Sequence, residues 1–172
     1  MMESEILPIA KTVDDYRAQF ATLSENTGAN FFHLRATLPK QGRTDTILAA
    51  SKTMSVILKT YAVSGENGLH RHPVEDHVFI VLQGEADFYG PDGSTRRVSK
   101  HDGVFLPSTA YYCFKSVGDE ALVMVRVGAR TSPDADPLAR VDRLDQQVDG
   151  YGKENKTVEL ILDEGNIFEQ IP

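Results

Sequence analysis

The stretch Gly68-Leu69-His70-Arg71-His72-Pro73-Val74-Glu75-Asp76-His77-Val78-Phe79 places three of the chain's five histidines within eight positions. Side chains at positions i and i+2 of a β-strand share a face, so His70 and His72 point the same way. Residues 73–76 can turn the chain, and the apolar strand that follows starts with His77 on the face that Phe79 shares. We therefore expect two neighbouring strands that aim three imidazoles at one point.

The sequence around this stretch has the rhythm of an all-β protein. From about residue 46 to residue 127, short runs rich in Val, Ile, Phe, Tyr and Thr alternate with turn signals, a pattern typical of a sandwich or barrel. The predicted strands are 54–63, 69–72, 77–82, 86–89, 95–98, 104–106, 111–115 and 121–127. Pro91-Asp92-Gly93 predicts a hairpin turn, because Pro presets one φ and Gly accepts a positive one.

The N-terminal part predicts one helix and one strand. Apolar residues recur at helical spacing over 12–23, and Thr12 with Asp15 has the pattern of a capping box. A strand is expected over 31–36, followed by a loop to about residue 45.

The C-terminal part is polar and contains breakers at Pro133 and Pro137. It predicts a short helix over 138–147, a strand over 157–162 and a turn over 163–166. We expect three units: an N-terminal helix and strand extension (1–45), a barrel (46–130), and a C-terminal arm (131–172) that packs on the barrel or on a partner subunit.

Charge and composition exclude several classes of partner. The formal net charge of -7 disfavours nucleic acid and anionic membranes, since both are polyanions that need clustered Lys and Arg. The single cysteine, Cys113, cannot form an internal disulfide, and the first residues lack the basic and apolar regions of a secretion signal. The sequence therefore predicts a soluble, cytoplasmic protein without a nucleic-acid or membrane partner.

The histidine stretch resembles the first motif of the cupin superfamily, Gly-x5-His-x-His-x3,4-Glu-x6-Gly. Four residues separate His72 from His77 and six separate His77 from Gly84, so His77 stands at the usual Glu position. Asp76 is the second choice for that ligand, and Glu75 falls outside the permitted gap. Ser64 stands at the place of the leading Gly.

Residues 101–116 align without a gap with the second cupin motif, Gly-x5-Pro-x-Gly-x2-His-x3-Asn. Pro107 is kept, and Tyr112 stands where the last metal-binding His is usual. The resemblance implies an all-β fold, an antiparallel double-stranded β-helix or jelly-roll barrel, with a short N-terminal helix and a C-terminal arm. It also implies one divalent metal held by His70, His72, His77 and Tyr112.

Tyr112 has three possible roles: a metal ligand, a hydrogen-bond donor or proton-transfer group beside the metal, or a packing residue. Its neighbour Tyr111 is expected to face the opposite way. His101 and His33 are weak metal candidates, and Cys113 is expected to point away from the site. Phe79, Phe105, Phe114 and Met124 are candidates to line the barrel mouth.

Three neutral imidazoles leave a divalent ion its full charge, so such a centre favours anionic partners. Fe²⁺ is the favoured ion, and Zn²⁺, Mn²⁺, Ni²⁺ or Cu²⁺ also suit the ligands. The resemblance favours a non-haem dioxygenase with Tyr112 as a catalytic group. The alternatives are a Lewis-acid lyase, isomerase or cyclase, and a barrel that binds a sugar or other small molecule without turnover. The resemblance also implies a homodimer.

Overall fold

The structure, a computed structural model, describes residues 6–62, 67–152, 155 and 158–169. Position 64, aligned with the leading Gly of the first motif, lies outside them. The elements in chain order are α1 (Val13–Ser24), β1 (Arg35–Gln41), β2 (Arg43–Ala50), β3 (Met54–Tyr61), β4 (Glu75–Gln83), β5 (Glu85–Tyr89), β6 (Thr95–Ser99), β7 (Gly103–Leu106), β8 (Cys113–Val117), β9 (Leu122–Arg130) and β10 (Ile161–Glu169).

Two antiparallel sheets face each other and enclose the main core. One has the strand order β2-β3-β9-β4-β7 and the other β6-β5-β8. Both contribute to one apolar cluster, which includes Tyr61, Phe79, Phe88, Phe114 and Met124. This is the predicted all-β double-stranded β-helix. The Pro91-Asp92-Gly93 turn joins β5 to β6 as expected, with Gly93 at φ 84°.

A third layer covers the outside of the larger sheet. Strands β1 and β10 pair with each other, and Leu38 and Phe168 pack with Leu48 and Leu58. The predicted loop before residue 45 is wrong, because β1 runs through Pro39 to Gln41 and β2 starts at Arg43. Pro39 is tolerated because it lies at a register shift in a two-stranded sheet, where a missing N–H costs little.

The C-terminal strand begins later than predicted. Position 157 lies outside the described residues, and β10 starts at Ile161. The predicted turn over 163–166 is wrong, since these residues lie within β10. They form a bulge: Thr37 pairs with Ile167, while Pro39 pairs with Leu162.

Helix α1 begins as predicted. The Thr12 side chain accepts from the Asp15 amide, and the Asp15 carboxylate accepts from the Thr12 amide. Tyr16 and Phe20 are buried against Ile57 and its neighbours. None of the described helices is long and apolar enough to cross a membrane.

The predicted helix over 138–147 is wrong. Val141 instead forms isolated bridges with Arg71 and Gln147. Asp142 explains the change, because its carboxylate accepts from the amides of Leu144 and Gln146 and closes a turn. The segment therefore lies beside the strand-like backbone that carries the first two histidines.

Candidate metal centre

The structure brings together all four side chains that the sequence predicts. The amide of His70 donates to the carbonyl of Tyr112 at 3.1 Å, and the reverse bond measures 2.9 Å. The ring centroids of His70 and Tyr112 are 4.6 Å apart, those of His70 and His72 are 5.1 Å apart, and those of His72 and His77 are 4.3 Å apart. Three imidazoles and a phenol thus form one cluster.

Backbone carbonyls orient the first two imidazoles. His72 Nδ1 donates to the Ala139 carbonyl at 3.0 Å, which leaves its Nε2 with a free lone pair. His70 Nδ1 lies 2.7 Å from the Gly68 carbonyl and 2.8 Å from Arg140 Nη2, so an acceptor and a donor both face this ring nitrogen. Such bonds are the usual supports of metal-binding histidines.

Glu75 is a candidate ligand that the sequence prediction set aside and that the structure places in the cluster. His77 Nε2 donates to Glu75 Oε2 at 2.7 Å, and Tyr112 donates its hydroxyl proton to His77 Nδ1 at 3.2 Å. Glu75 and His77 are 2% and 1% exposed. Ligand atoms of His72, Glu75 and His77 all lie within 4.8 Å of one another, so the three can hold a metal ion.

Motif spacing placed Glu75 outside the permitted gap, but β4 begins at Glu75 and not at His77, which brings the Glu75 carboxylate to the cluster. Residues two apart on a strand share a face, so the rule that pairs His70 with His72 also pairs Glu75 with His77. Asp76, the second choice for the fourth ligand, lies on the opposite face. Its carboxylate accepts from the amide of Ser108 at 2.7 Å.

The surroundings of Glu75 fit a cation. Arg126 Nη2 lies 3.5 Å from Glu75 Oε2, whereas Glu75 Oε1 is buried with no hydrogen-bond partner among the described residues. Gly128, opposite His77 on β9, makes room for this carboxylate, because a Cβ there would overlap Glu75 Oε1. An unpaired carboxylate oxygen beside neutral imidazoles is a ready ligand for a divalent ion.

The protonation states also suit a metal. Burial lowers the pKa of His70 and His72 well below 6.5, and it lowers the pKa of His77 to about 4. Burial acts to raise the pKa of Glu75, but Arg126 and the bond from His77 outweigh it, so the pKa of Glu75 is lowered. At neutral pH the cluster offers neutral imidazoles and a carboxylate, the forms in which these groups bind metals.

Tyr112 keeps its proton. Burial raises the pKa of its hydroxyl, so the group is a neutral phenol that donates to His77. Its ring stacks on Phe88, with the centroids 6.3 Å apart. Tyr111 faces away as expected and donates to Asp145 at 2.6 Å.

The other predicted positions lie away from the cluster. His101 is exposed in the turn between β6 and β7 with φ 77°, and its amide donates to the Val81 carbonyl, four residues along β4 from His77. His33 is exposed ahead of β1. Cys113 directly follows Tyr112, begins strand β8 and is half-buried.

A cavity of about 60 Å³ opens beside the cluster. His70, His72 and Tyr112 line it, as do two of the four predicted mouth residues, Phe79 and Phe114. Phe105 is instead 62% exposed, and Met124 is buried in the core.

The cavity wall also carries buried charges that the sequence prediction missed: Arg43, Asp45, Lys59, Arg126 and Arg140. The strand period could have identified Lys59, because it lies two residues from both Ile57 and Tyr61 on β3 and shares their face. A charge on an apolar strand face indicates a polar interior.

Comparison with known proteins identifies the barrel. Residues 57–128 match the family model described as Cupin domain. No curated protein matches the chain significantly.

Several solved structures share the fold. An uncharacterized conserved protein with a double-stranded β-helix domain from Klebsiella pneumoniae is 17% identical, with 64% of this chain and 91% of that chain covered and a TM-score of 0.56. A conserved protein of unknown function from Streptococcus pyogenes is 19% identical, with coverages of 62% and 99% and a TM-score of 0.51. The Cnp3 cupin domain of Schizosaccharomyces pombe is 19% identical, with 51% of this chain and 61% of that chain covered and a TM-score of 0.48. This chain therefore spans less than two thirds of that domain's length.

Proposed function

Because residues 57–128 match the Cupin domain family model, we propose that the chain is a metal-dependent enzyme, a non-haem iron(II) dioxygenase that acts on a small organic molecule. The observation that carries this proposal is the grouping of His72, Glu75 and His77 within 4.8 Å. Two histidines and one carboxylate with open positions are the ligand set typical of non-haem iron oxygenases.

The chain's own residues would prepare the site in three ways. His72, Glu75 and His77 would hold the ion, with His70 next to them. His77 would have to release one of its two hydrogen bonds, to Glu75 or to Tyr112, because both of its ring nitrogens are engaged. The Ala139 carbonyl keeps His72 in its ligand tautomer. Bound iron(II) would supply the redox chemistry that activates dioxygen. The aromatic wall, with Phe79 and Phe114, would exclude bulk water from the substrate.

The second candidate is Lewis-acid chemistry, in which the protein is a lyase, isomerase or cyclase. Its support is Tyr112, a buried neutral phenol that lies on the cavity wall and donates to His77 at 3.2 Å. A phenol in this position can move a proton to or from a bound substrate.

Oxygen uptake separates these functions. The full chain is loaded with iron(II) without air and mixed with diketones, thiols, catechols or small organic acids in an oxygen electrode. We expect uptake with at least one compound and none with the His72→Ala variant. If no compound causes uptake at full iron loading, the dioxygenase proposal fails. Conversion of a compound without uptake would then establish the Lewis-acid alternative, and binding without conversion would leave a non-catalytic cupin.

A further inference from the structure

The cavity beside the candidate metal centre has an excess of buried positive charge. Four basic side chains line it, each no more than 8% exposed: Arg43, Lys59, Arg126 and Arg140. Asp45 is the acidic residue in the described part of the same wall, and Glu75 lies behind it against Arg126. This local excess contrasts with the net charge of -7 for the whole chain.

Two of the four basic groups have carboxylate partners. Lys59 forms a buried ion pair with Asp45, its opposite residue on β2, and Arg126 lies 3.5 Å from Glu75. Arg43 and Arg140 form no ion pair within the described ranges. Buried charges are normally paired, so two unpaired guanidinium groups on one cavity indicate that a ligand supplies the missing anion.

The hydrogen bonds of these two arginines leave donors free. Arg43 donates to the Gly150 carbonyl at 2.6 Å, and Arg140 donates to Asn155 Oδ1 at 2.7 Å. Both residues are only 6% exposed, and the Nε atom of each is buried without a hydrogen-bond partner in the described structure. Burial lowers the pKa of Arg140 to about 10, so its guanidinium is still charged at neutral pH.

Arg140 links this charge to the candidate metal centre. Its Nη2 lies 2.8 Å from His70 Nδ1, and its neighbour Ala139 supplies the carbonyl that orients His72. Ile57, Phe79 and Phe114 also line the cavity and add apolar surface to it. A ligand in this space therefore meets both cationic and apolar groups.

We propose that Arg43 and Arg140 form a subsite for the carboxylate of a small organic acid, and that the substrate is such an acid. This inference rests on the proposed function, because it names the class of substrate that the proposed enzyme would use. A guanidinium donates two parallel hydrogen bonds to a carboxylate, which matches the unpaired donors. The cavity volume of about 60 Å³ suits a small ligand, and the apolar residues that line it favour an organic anion over an inorganic one.

Calorimetry on the full-length, metal-free protein tests the subsite. The probes are acetate, its neutral isostere acetamide, and inorganic phosphate, all at low ionic strength. We expect acetate to bind at least tenfold more tightly than acetamide or phosphate. Arg43→Met and Arg140→Met should each weaken acetate binding at least tenfold. Arg97→Met is the matched control, because Arg97 pairs with Asp87 on the surface, and it should bind acetate as the wild type does.

Equal binding of acetate and acetamide would overturn the proposal, as would tighter binding of phosphate. The comparison of probes needs no variant, so it stands even if an arginine variant fails to fold. Metal content is measured on separate samples of the same wild type and variants after anaerobic loading with iron(II) and desalting. A subsite failure leaves acetate unbound while the metal still binds, whereas a failure of the proposed function leaves acetate bound and the metal absent.

Discussion

Each imidazole of the cluster is hydrogen-bonded to a different partner, and the partner of His77 Nε2 is the Glu75 carboxylate. Its Oε2 accepts from His77 Nε2, and its Oε1 has no hydrogen-bond partner among the described residues. The carboxylate is therefore both a support for the imidazole and a candidate ligand. The nearby Arg126 guanidinium keeps the Glu75 carboxylate ionised. Both the support of His77 and the binding of a metal therefore depend on the negative charge of Glu75.

Replacing Glu75 tests this role directly. We expect Glu75→Gln to lower the affinity for iron(II) by about 10–100-fold or more, the usual cost of losing a ligand or its support. Titration with a competing chelator measures the affinity. Asp76→Asn is the control, because Asp76 lies on the opposite face against Ser108 and its replacement keeps an accepting oxygen. An unchanged affinity in Glu75→Gln would exclude Glu75 from the site.

Tyr112 allows a second test at the level of one atom. Tyr112→Phe removes the hydroxyl and keeps the ring that stacks on Phe88. If the hydroxyl is a proton donor, metal content should stay unchanged while turnover of a substrate found by the oxygen assay falls about 100- to 10,000-fold. Loss of the metal from Tyr112→Phe would show instead that the phenol is a ligand.

Strands β4 and β9 position the centre through their register. His77 is opposite Gly128, and Glu75 is opposite Arg130, so the missing side chain at Gly128 creates the space into which the Glu75 carboxylate fits. A one-residue slip would turn Glu75 and His77 to the outer face. The site thus depends on a strand whose own sequence carries no metal ligand.

The glycine on β9 gives a prediction at this scale. A Cβ at Gly128 would lie 2.7 Å from Glu75 Cδ and overlap its Oε1, so Gly128→Ala must displace the carboxylate. We expect a loss of about 1–3 kcal/mol in the free energy of unfolding and weaker metal binding. Urea unfolding measures the first effect. Gly165→Ala is the control, since a Cβ there meets no atom within 4 Å; equal stability of the two variants would contradict the packing argument.

Local patterns predicted the parts of the site that lie close together in sequence. The His-x-His pair follows from the strand period, and outside the site the capping box of α1 follows from its Thr-x-x-Asp spacing. Arg140 could not be found this way, because it lies 70 positions from His70 and reaches it only through the backbone bridge between Val141 and Arg71. Glu75 was missed for a different reason: the motif spacing was preferred to the strand period.

At the scale of the whole molecule, the cluster links stability to pH. His70 and His72 have pKa values well below 6.5 in the folded, metal-free protein, and His77 has a pKa of about 4. The unfolded chain protonates them near 6.5, so it binds more protons below that pH. Folded stability is therefore fully present above about pH 6.5 and is lost as the pH falls toward 4.

The expected slope is at most about 1.4 kcal/mol per pH unit for each histidine. Urea midpoints of the metal-free protein at pH 7.5, 6.0 and 5.0 measure it. His72→Asn should show a smaller slope, and His101→Asn, which changes an exposed side chain, should match the wild type. A midpoint that stays constant or rises as the pH falls would contradict the assignment of buried neutral imidazoles.

The homodimer expected from the sequence stays a prediction.

The central claim is that this barrel holds one divalent metal ion at the histidine cluster. Its most direct test is the metal content, by plasma mass spectrometry, of the full chain after anaerobic loading with iron(II) and desalting. We predict one equivalent per chain in the wild type and in the control His101→Ala, and a small fraction of that in His72→Ala. Equal metal content in the wild type and His72→Ala would contradict the claim.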